Sequence, residues 1–289
     1  MANSSIQSQL LWSKNLLKQN SISPDLDAEV LLSFVLKKNR SYLYTWPEVL
    51  LSDSDLFLFR QLITRRSHGE PIAYLTGQRE FWSLELSINP NVLIPRPETE
   101  LLVQTVLDHY PVSSDFLSIA DFGTGSGAIA IALAKENPHW KIFAMDQSHQ
   151  ALLIATQNAR RHECSNITWV HHSWKENLTP DLFGGILLDA MIANPPYLAK
   201  NDPHLSQGDL RFEPSDALIS GETGLEDFEF IIQAAQKLLK PTGKLFFEHG
   251  REQADSLKQL LLKFNFNYLA CLKDLNHHDR VTVAQKKLN

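Results

Sequence analysis

The sequence predicts an α/β protein: a mostly parallel, seven-stranded sheet layered between helices, preceded by a small helical domain. Three observations carry this reading. From Pro97 onward, strand-like and helix-like segments alternate; before Pro90, apolar residues recur at helical spacing; and a glycine-rich run, Asp121-Phe122-Gly123-Thr124-Gly125-Ser126-Gly127-Ala128, sits between a strand and a helix. Strand-helix alternation implies parallel strands covered on both faces, because each crossover helix packs back on the sheet.

In chain order, residues 6–17, 25–36 and 53–67 form amphipathic helices, with Leu26, Val30, Leu31, Phe34 and Val35 as the stripe of the second. Ser23 and Pro24 open that helix as N-cap and first-turn residue. Residues 71–75, a turn at Thr76-Gly77-Gln78, and the alternating run 80–88 read as a β-hairpin. Beyond it come helix 98–109, strand 116–120, helix 127–136, strand 141–145, helix 149–161, strand 167–171 and strand 187–193. Helix 225–239, strand 244–247, helix 253–264 and strands 268–272 and 280–284 complete the pattern. The expected domains are residues 1–70 (helical), 71–96 (hairpin linker) and 97–289 (sheet).

With 289 residues, 43% of them hydrophobic, the chain can build two domains and a substantial core. No apolar stretch approaches the roughly 20 residues of a membrane span, and the polar start lacks a signal-peptide layout, so a cytoplasmic protein is expected. Cys164 and Cys271 are too few for a disulfide framework or a cysteine-rich zinc site and read as half-buried thiols. Adjacent histidines at 171/172 and 277/278 splay their rings, so no metal is expected. A net charge of −6, and acidic and basic side chains that balance over residues 1–95, offer no basic stripe to a nucleic acid. Trp12, Tyr42, Tyr44 and Trp46 read as core of the helical domain.

The chemistry concentrates at predicted strand ends, where ligands bind in such sheets. Glycines at 123, 125 and 127 let the backbone turn sharply and approach a ligand that a Cβ would repel. Asp146 ends the next strand, about 20 residues on, where a carboxylate accepts both ribose hydroxyls of an adenosine. Its other reading is a helix N-cap, a role for which Ser148 competes. Nicotinamide and flavin enzymes share this arrangement with methyltransferases. Asn194-Pro195-Pro196-Tyr197 at a later strand end separates them. The prolines stiffen the backbone, the Asn194 side-chain oxygen and the Pro195 carbonyl can accept both hydrogens of a planar NH2 group, and Tyr197 can stack on its plane. A methyl donor needs such a clamp on its acceptor nitrogen; a hydride-transfer enzyme does not. Drawing both N–H bonds toward acceptors returns electron density to an amide nitrogen, so polarisation and positioning replace a dedicated base.

These motifs resemble those of the class I S-adenosylmethionine (SAM)-dependent amino-methyltransferases. Gly69-Glu70-Pro71-Ile72-Ala73-Tyr74-Leu75-Thr76-Gly77, Glu80-Phe81-Trp82-Ser83-Leu84, Ile94-Pro95-Arg96-Pro97-Glu98-Thr99-Glu100, Phe212-Glu213-Pro214 and Glu248-His249-Gly250 are similar to segments of the release factor glutamine methyltransferases, the PrmC (HemK) family. The likeness runs from about residue 20 to residue 283. It implies a Rossmann-like methyltransferase fold with an N-terminal substrate-recognition domain. It also implies N5-methylation of the glutamine in the Gly-Gly-Gln loop of class 1 peptide chain release factors, with S-adenosyl-L-homocysteine as second product. By the same resemblance Gly123, Thr124, Gly125, Ser126, Gly127 and Asp146 hold SAM and Trp174 packs near its adenine. Asn194 contacts cofactor and substrate, and Pro195, Pro196 and Tyr197 bind the glutamine amide. His171-His172-Ser173 stand where the family places an acidic residue just before that tryptophan, and Phe122 replaces its usual leucine.

Around these lie Arg96, Glu98, Thr99 and Glu100, read as a helix cap or a closure over the cofactor, and the irregular stretch 198–224, expected to shape the glutamine pocket. The clamp by itself fits the exocyclic amine of adenine equally well, which keeps a nucleic-acid adenine methyltransferase in view, as well as a noncatalytic SAM- or release-factor-binding module. The charge balance favours a protein substrate, and no signature of a large two-fold interface argues against a monomer.

Overall fold

The computed structural model describes residues 4–110 and 116–288, so the first three residues of the predicted helical domain lie outside it. Two compact units emerge, Met1–Gln78 with Gln207–Phe212, and Arg79–Ser206 with Glu213–Asn289.

The first unit is helical: α1 (Ile6–Leu17), α2 (Pro24–Leu36), α3 (Arg40–Thr45), α4 (Asp53–Ser67) and α5 (Ile72–Thr76). Hydroxyls of Ser5 and Ser52 cap α1 and α4 by accepting the N–H of Ser8 and Asp55, satisfying donors that a helix start leaves free. The unit closes over Ile6, Leu17, Leu31, Leu32, Phe59 and Ile63, all buried. Inside it Arg66 Nε donates to Asp27 Oδ2 at 2.6 Å while Arg66 Nη1 reaches Asp209 at 3.4 Å, which anchors the returning segment Gln207–Phe212.

Two expectations change here. Residues 71–75 are not a strand: Pro71 precedes a short helix, and Gly77, at φ +72°, ends it by donating its N–H to Ala73. The aromatic group divides, with Trp12 and Tyr42 packed on the core but Tyr44 65% and Trp46 55% exposed, because α3 turns Tyr42 and Leu43 toward the core and Tyr44 away from it.

The hairpin consists of β1 (Gln78–Phe81) and β2 (Leu84–Ser87), so it begins later than the sequence suggests. Its two turn residues, Trp82 and Ser83, both have positive φ, the backbone of a tight hairpin turn usually built from Asn-Gly. Carboxylates hold it: Glu100 accepts the Trp82 N–H at 2.8 Å and Glu80 that of Ser83 at 2.6 Å. Buried Asn158 ties the hairpin to the glycine run, exchanging hydrogen bonds with the Ser87 backbone and donating to the Ser126 carbonyl at 2.9 Å.

In the second unit, α6 (Glu100–His109), β3 (Ser118–Phe122), α7 (Ala128–Glu136), β4 (Lys141–Asp146), α8 (His149–Arg161), β5 (Ile167–His171) and β6 (Leu188–Ala193) follow in order. They lead to α9 (Glu226–Leu238), β7 (Leu239–Glu248), α10 (Ala254–Lys263), β8 (Phe266–Lys273) and β9 (Asp279–Lys286). The seven-stranded sheet has the order β5-β4-β3-β6-β7-β9-β8. Neighbours from β5 to β7 are parallel, and β9 inserts antiparallel between β7 and β8. β3 starts two residues later than predicted: Ser118 N–H is fixed by Asp189 Oδ2 at 2.9 Å, and Phe116, 79% exposed, precedes the strand. Consequently Asp121 and Phe122 are strand residues and the glycine run is shorter than it looks.

Candidate active site

Strand register builds the site. Met145, Phe122, Ala193 and Phe247 lie side by side across β4, β3, β6 and β7, so the next residues, Asp146, Gly123, Asn194 and Glu248, stand at the carboxyl edge of the sheet. The order of strands reverses between β3 and β6, the switch point at which open α/β sheets form a crevice. A cavity of about 620 Å³ opens there, its walls including Gly123, Gly125, Asp146, Trp174, Asn194 and Pro196.

Asp146 is 9% exposed and lines the cavity. Its Oδ2 accepts the Gly125 N–H at 2.9 Å and its Oδ1 the Ser148 N–H at 2.8 Å. Burial raises its pKa, opposed by those N–H groups. An ionised carboxylate has about four acceptor positions, so about two stay available to hydroxyls in the cavity. Ser148 caps α8 through Ala151, which resolves the competition between the two residues.

The residues of the glycine run divide. Gly123 and Gly125 face the cavity. A Cβ on Gly123 would stand 3.1 Å from the Trp174 ring. Thr124 turns inward and donates to Asp121 Oδ2 at 2.7 Å. Asp121 is wholly buried, which pushes its pKa up to about 7. Ser126 is buried as well, and Gly127, at φ +84°, packs against α7 and α8 where a Cβ would lie 2.9 Å from Ile131 Cδ1. Thr124, Ser126 and Gly127 therefore shape the turn from behind.

Trp174 is held as a wall. Its indole Nε1 donates to Asp227 Oδ1 at 2.7 Å, and Lys175 Nζ reaches the same oxygen at 2.9 Å. Asp227 is completely buried at the first turn of α9.

Asn194 is half-buried, and its Nδ2 donates to Thr99 Oγ1 at 3.3 Å. Pro195 and Pro196 are buried, with Pro196 on the cavity wall. Tyr197 packs against the core of the unit, and burial, with the nearby Glu248 carboxyl, raises its pKa to about 12. The backbone beyond is pinned: Leu198 bridges Ile219, and Gln253 Nε2 donates to the Tyr197 carbonyl at 2.9 Å. Glu213 accepts the Ile94 N–H at 3.1 Å and pairs with Arg96, which seats the adjoining Pro214, Asp216 and Ala217 in the cavity wall.

Residues 9–77 match the PrmC N-terminal domain and residues 97–210 the methyltransferase small domain. A release factor glutamine methyltransferase of Aliivibrio fischeri is 43% identical over 273 residues, 94% of each chain. One from Shewanella oneidensis is 40% identical over 282 residues, 98% of this chain and 96% of that one. The chain belongs to the release factor glutamine methyltransferase family. A methyltransferase structure from Pyrococcus furiosus, 17% identical, superposes with a TM-score of 0.52 over 79% of this chain and 98% of that one, a likeness of fold.

Within this family member, several residues at the site had no assigned part in the sequence reading. Glu248, Glu213 and Asp121 sat in the quoted motifs, and their ends of strand or loop were the only signal. Asp227 and Asn158 gave none, since their partners lie 53 and 71 residues away in sequence. Thr99 stands at the N-cap position of α6 but its side chain makes no capping hydrogen bond, and Glu100 holds the hairpin turn. No cluster of three or more His, Cys, Asp or Glu able to hold a metal occurs among the described residues.

Proposed function

We propose that this chain transfers a methyl group from SAM to the side-chain amide N5 of the glutamine in the Gly-Gly-Gln motif of class 1 peptide chain release factors. The observation that carries this reading is the row Asp146, Gly123, Asn194 at the carboxyl edge of the sheet, in a chain that aligns over 94% and 98% of its length with two family members. The cavity fits an adenosyl cofactor. About 620 Å³ lies within the roughly 300–1,000 Å³ of small-molecule sites, and its buried carboxylate retains acceptor capacity for a ribose diol.

In this proposal Asp146 takes the ribose hydroxyls, Gly123 and Gly125 let the cofactor approach the backbone, and Trp174 lines the adenine side. Thr124, Ser126 and Gly127 support the turn. When bound, SAM supplies an electrophilic methyl carbon. Asn194 Oδ1 and the Pro195 carbonyl accept the two N–H hydrogens of the glutamine amide, raising density on N5 and aligning it. Pro196 and Tyr197 complete the slot, and N5 releases one proton after methylation. Products are N5-methylglutamine and S-adenosyl-L-homocysteine, with no metal required. We read the protein as a cytoplasmic monomer, since its substrate is a translation factor; the net charge of −6 weighs against nucleic acid as acceptor.

The test incubates the purified chain and labelled SAM with release factor, with its Gln→Ala loop variant, or with nucleic acid. Label on the unaltered factor alone is expected. Label on nucleic acid and not on the factor would overturn the reading. Asn194→Ala should lower the rate by about 10²-fold or more with the fold intact.

A further inference from the structure

We propose that Thr99 and Glu248 act as a positioning pair that decides which end of the Asn194 amide faces the methyl acceptor. This inference rests on the function proposed above.

The two ends of an asparagine amide are alike in shape and opposite in hydrogen-bonding sense. With Oδ1 toward the acceptor, Asn194 draws an N–H forward; with Nδ2 there, two donors oppose each other. The Thr99 hydroxyl accepts from Nδ2 at 3.3 Å, which leaves Oδ1 as the outward acceptor. A hydroxyl is ambivalent, though, and can equally donate to an amide oxygen. Something must fix its polarity.

Glu248 supplies that constraint. It is 1% exposed, and its carboxyl lies against the Thr99 hydroxyl. When ionised, the carboxylate is acceptor-only, so it takes the Thr99 proton and leaves a lone pair for Asn194. The fold brings the three together. Ala193 and Phe247 are paired in the sheet, which sets Asn194 beside Glu248, and Thr99 is buried in the turn that starts α6. Among the described residues Glu248 Oε2 has no hydrogen-bond partner. Burial pushes its pKa up to about 7, and the Thr99 hydroxyl, Arg280 and Arg96 favour the charged form against burial and Glu98. A buried carboxylate tolerated at such cost beside the acceptor clamp is explained by fixing the direction of a hydrogen-bond chain.

The experiment compares Thr99→Val, Thr99→Ser and the parent by kcat on release factor, by calorimetric affinity for S-adenosylhomocysteine, and by the NMR signals of the Asn194 side-chain amide, assigned with Asn194→Ala. Thr99→Val should lower kcat by about 10²-fold while cofactor affinity stays within about twofold, and Thr99→Ser should recover most of the rate. One Asn194 amide proton should exchange slowly in the parent and in Thr99→Ser, and rapidly in Thr99→Val. The proposal falls if Thr99→Val keeps its kcat, if Thr99→Ser is as impaired as Thr99→Val, or if cofactor affinity drops in step with rate. The amide signals need no turnover. A parent inactive on release factor with the expected exchange pattern would overturn the function and leave the pair standing, whereas Asn194 protons indifferent to Thr99→Val would overturn the pair.

Discussion

The Asp146 carboxylate accepts the Gly125 backbone N–H at 2.9 Å, joining the end of β4 to the turn after β3. One side chain thus braces the glycine turn and faces the cavity. Asp146→Ala should weaken S-adenosylhomocysteine binding and also loosen the turn, since hydrogen bonds to a charged group contribute about 1.5–3 kcal/mol each. Calorimetry and a thermal melt should both shift; unchanged affinity would remove Asp146 from the ribose role.

Gly123 and Gly127 should fail differently. A Cβ at Gly127 meets Ile131 at 2.9 Å and Ala155 at 3.1 Å, at φ +84°, so Gly127→Ala should cost about 1–3 kcal/mol of stability from crowding and left-handed strain. The folded fraction should still bind cofactor. Gly123→Ala pushes on Trp174 at the cavity wall and should cut affinity more than stability. Equal effects of the two substitutions on binding would contradict this division.

Trp174→Phe removes the indole donor from buried Asp227, leaving Lys175 as that oxygen's partner. A loss of about 1–3 kcal/mol in unfolding free energy is expected from an under-satisfied buried group. Asp227→Asn in the Trp174→Phe background should restore part of it, measurable by denaturant titration.

Burial raises the pKa of Glu248 from 4.5 to about 7, with Arg280 and Arg96 pulling it down and Glu98 pushing it up. The native state therefore binds this proton more tightly than the unfolded chain does. Its contribution to stability is fully present below about pH 4.5 and is lost as pH rises through about 7. The span corresponds to on the order of 3 kcal/mol. Glu248→Gln should flatten the pH dependence of unfolding over that window relative to the parent; parallel curves would show that Glu248 keeps an ordinary pKa.

Local chemistry made much of this protein legible in its sequence. Apolar periodicity determined α1, α4, α8 and β5 to the residue, because helix and strand repeats depend on neighbours a few positions apart. The glycine run and Asn194–Tyr197 announced a strand-end site because both need backbone that few residues supply. The hairpin turn at Trp82-Ser83 carries no sequence signature, since carboxylates from Glu80 and Glu100 hold it where Asn-Gly would normally mark it.

Only the tertiary structure decided which residues stand together. Strand order placed β6 beside β3 and set Asp146, Gly123, Asn194 and Glu248 in one row, although they span more than a hundred positions of sequence. It also turned Thr124, Ser126 and Gly127 inward while Gly123 and Gly125 faced the cavity, and it gave Asn194 its Thr99 partner. The physical reason is that lateral register between parallel strands comes from packing across the whole sheet. Nothing in a strand's own residues names its neighbour.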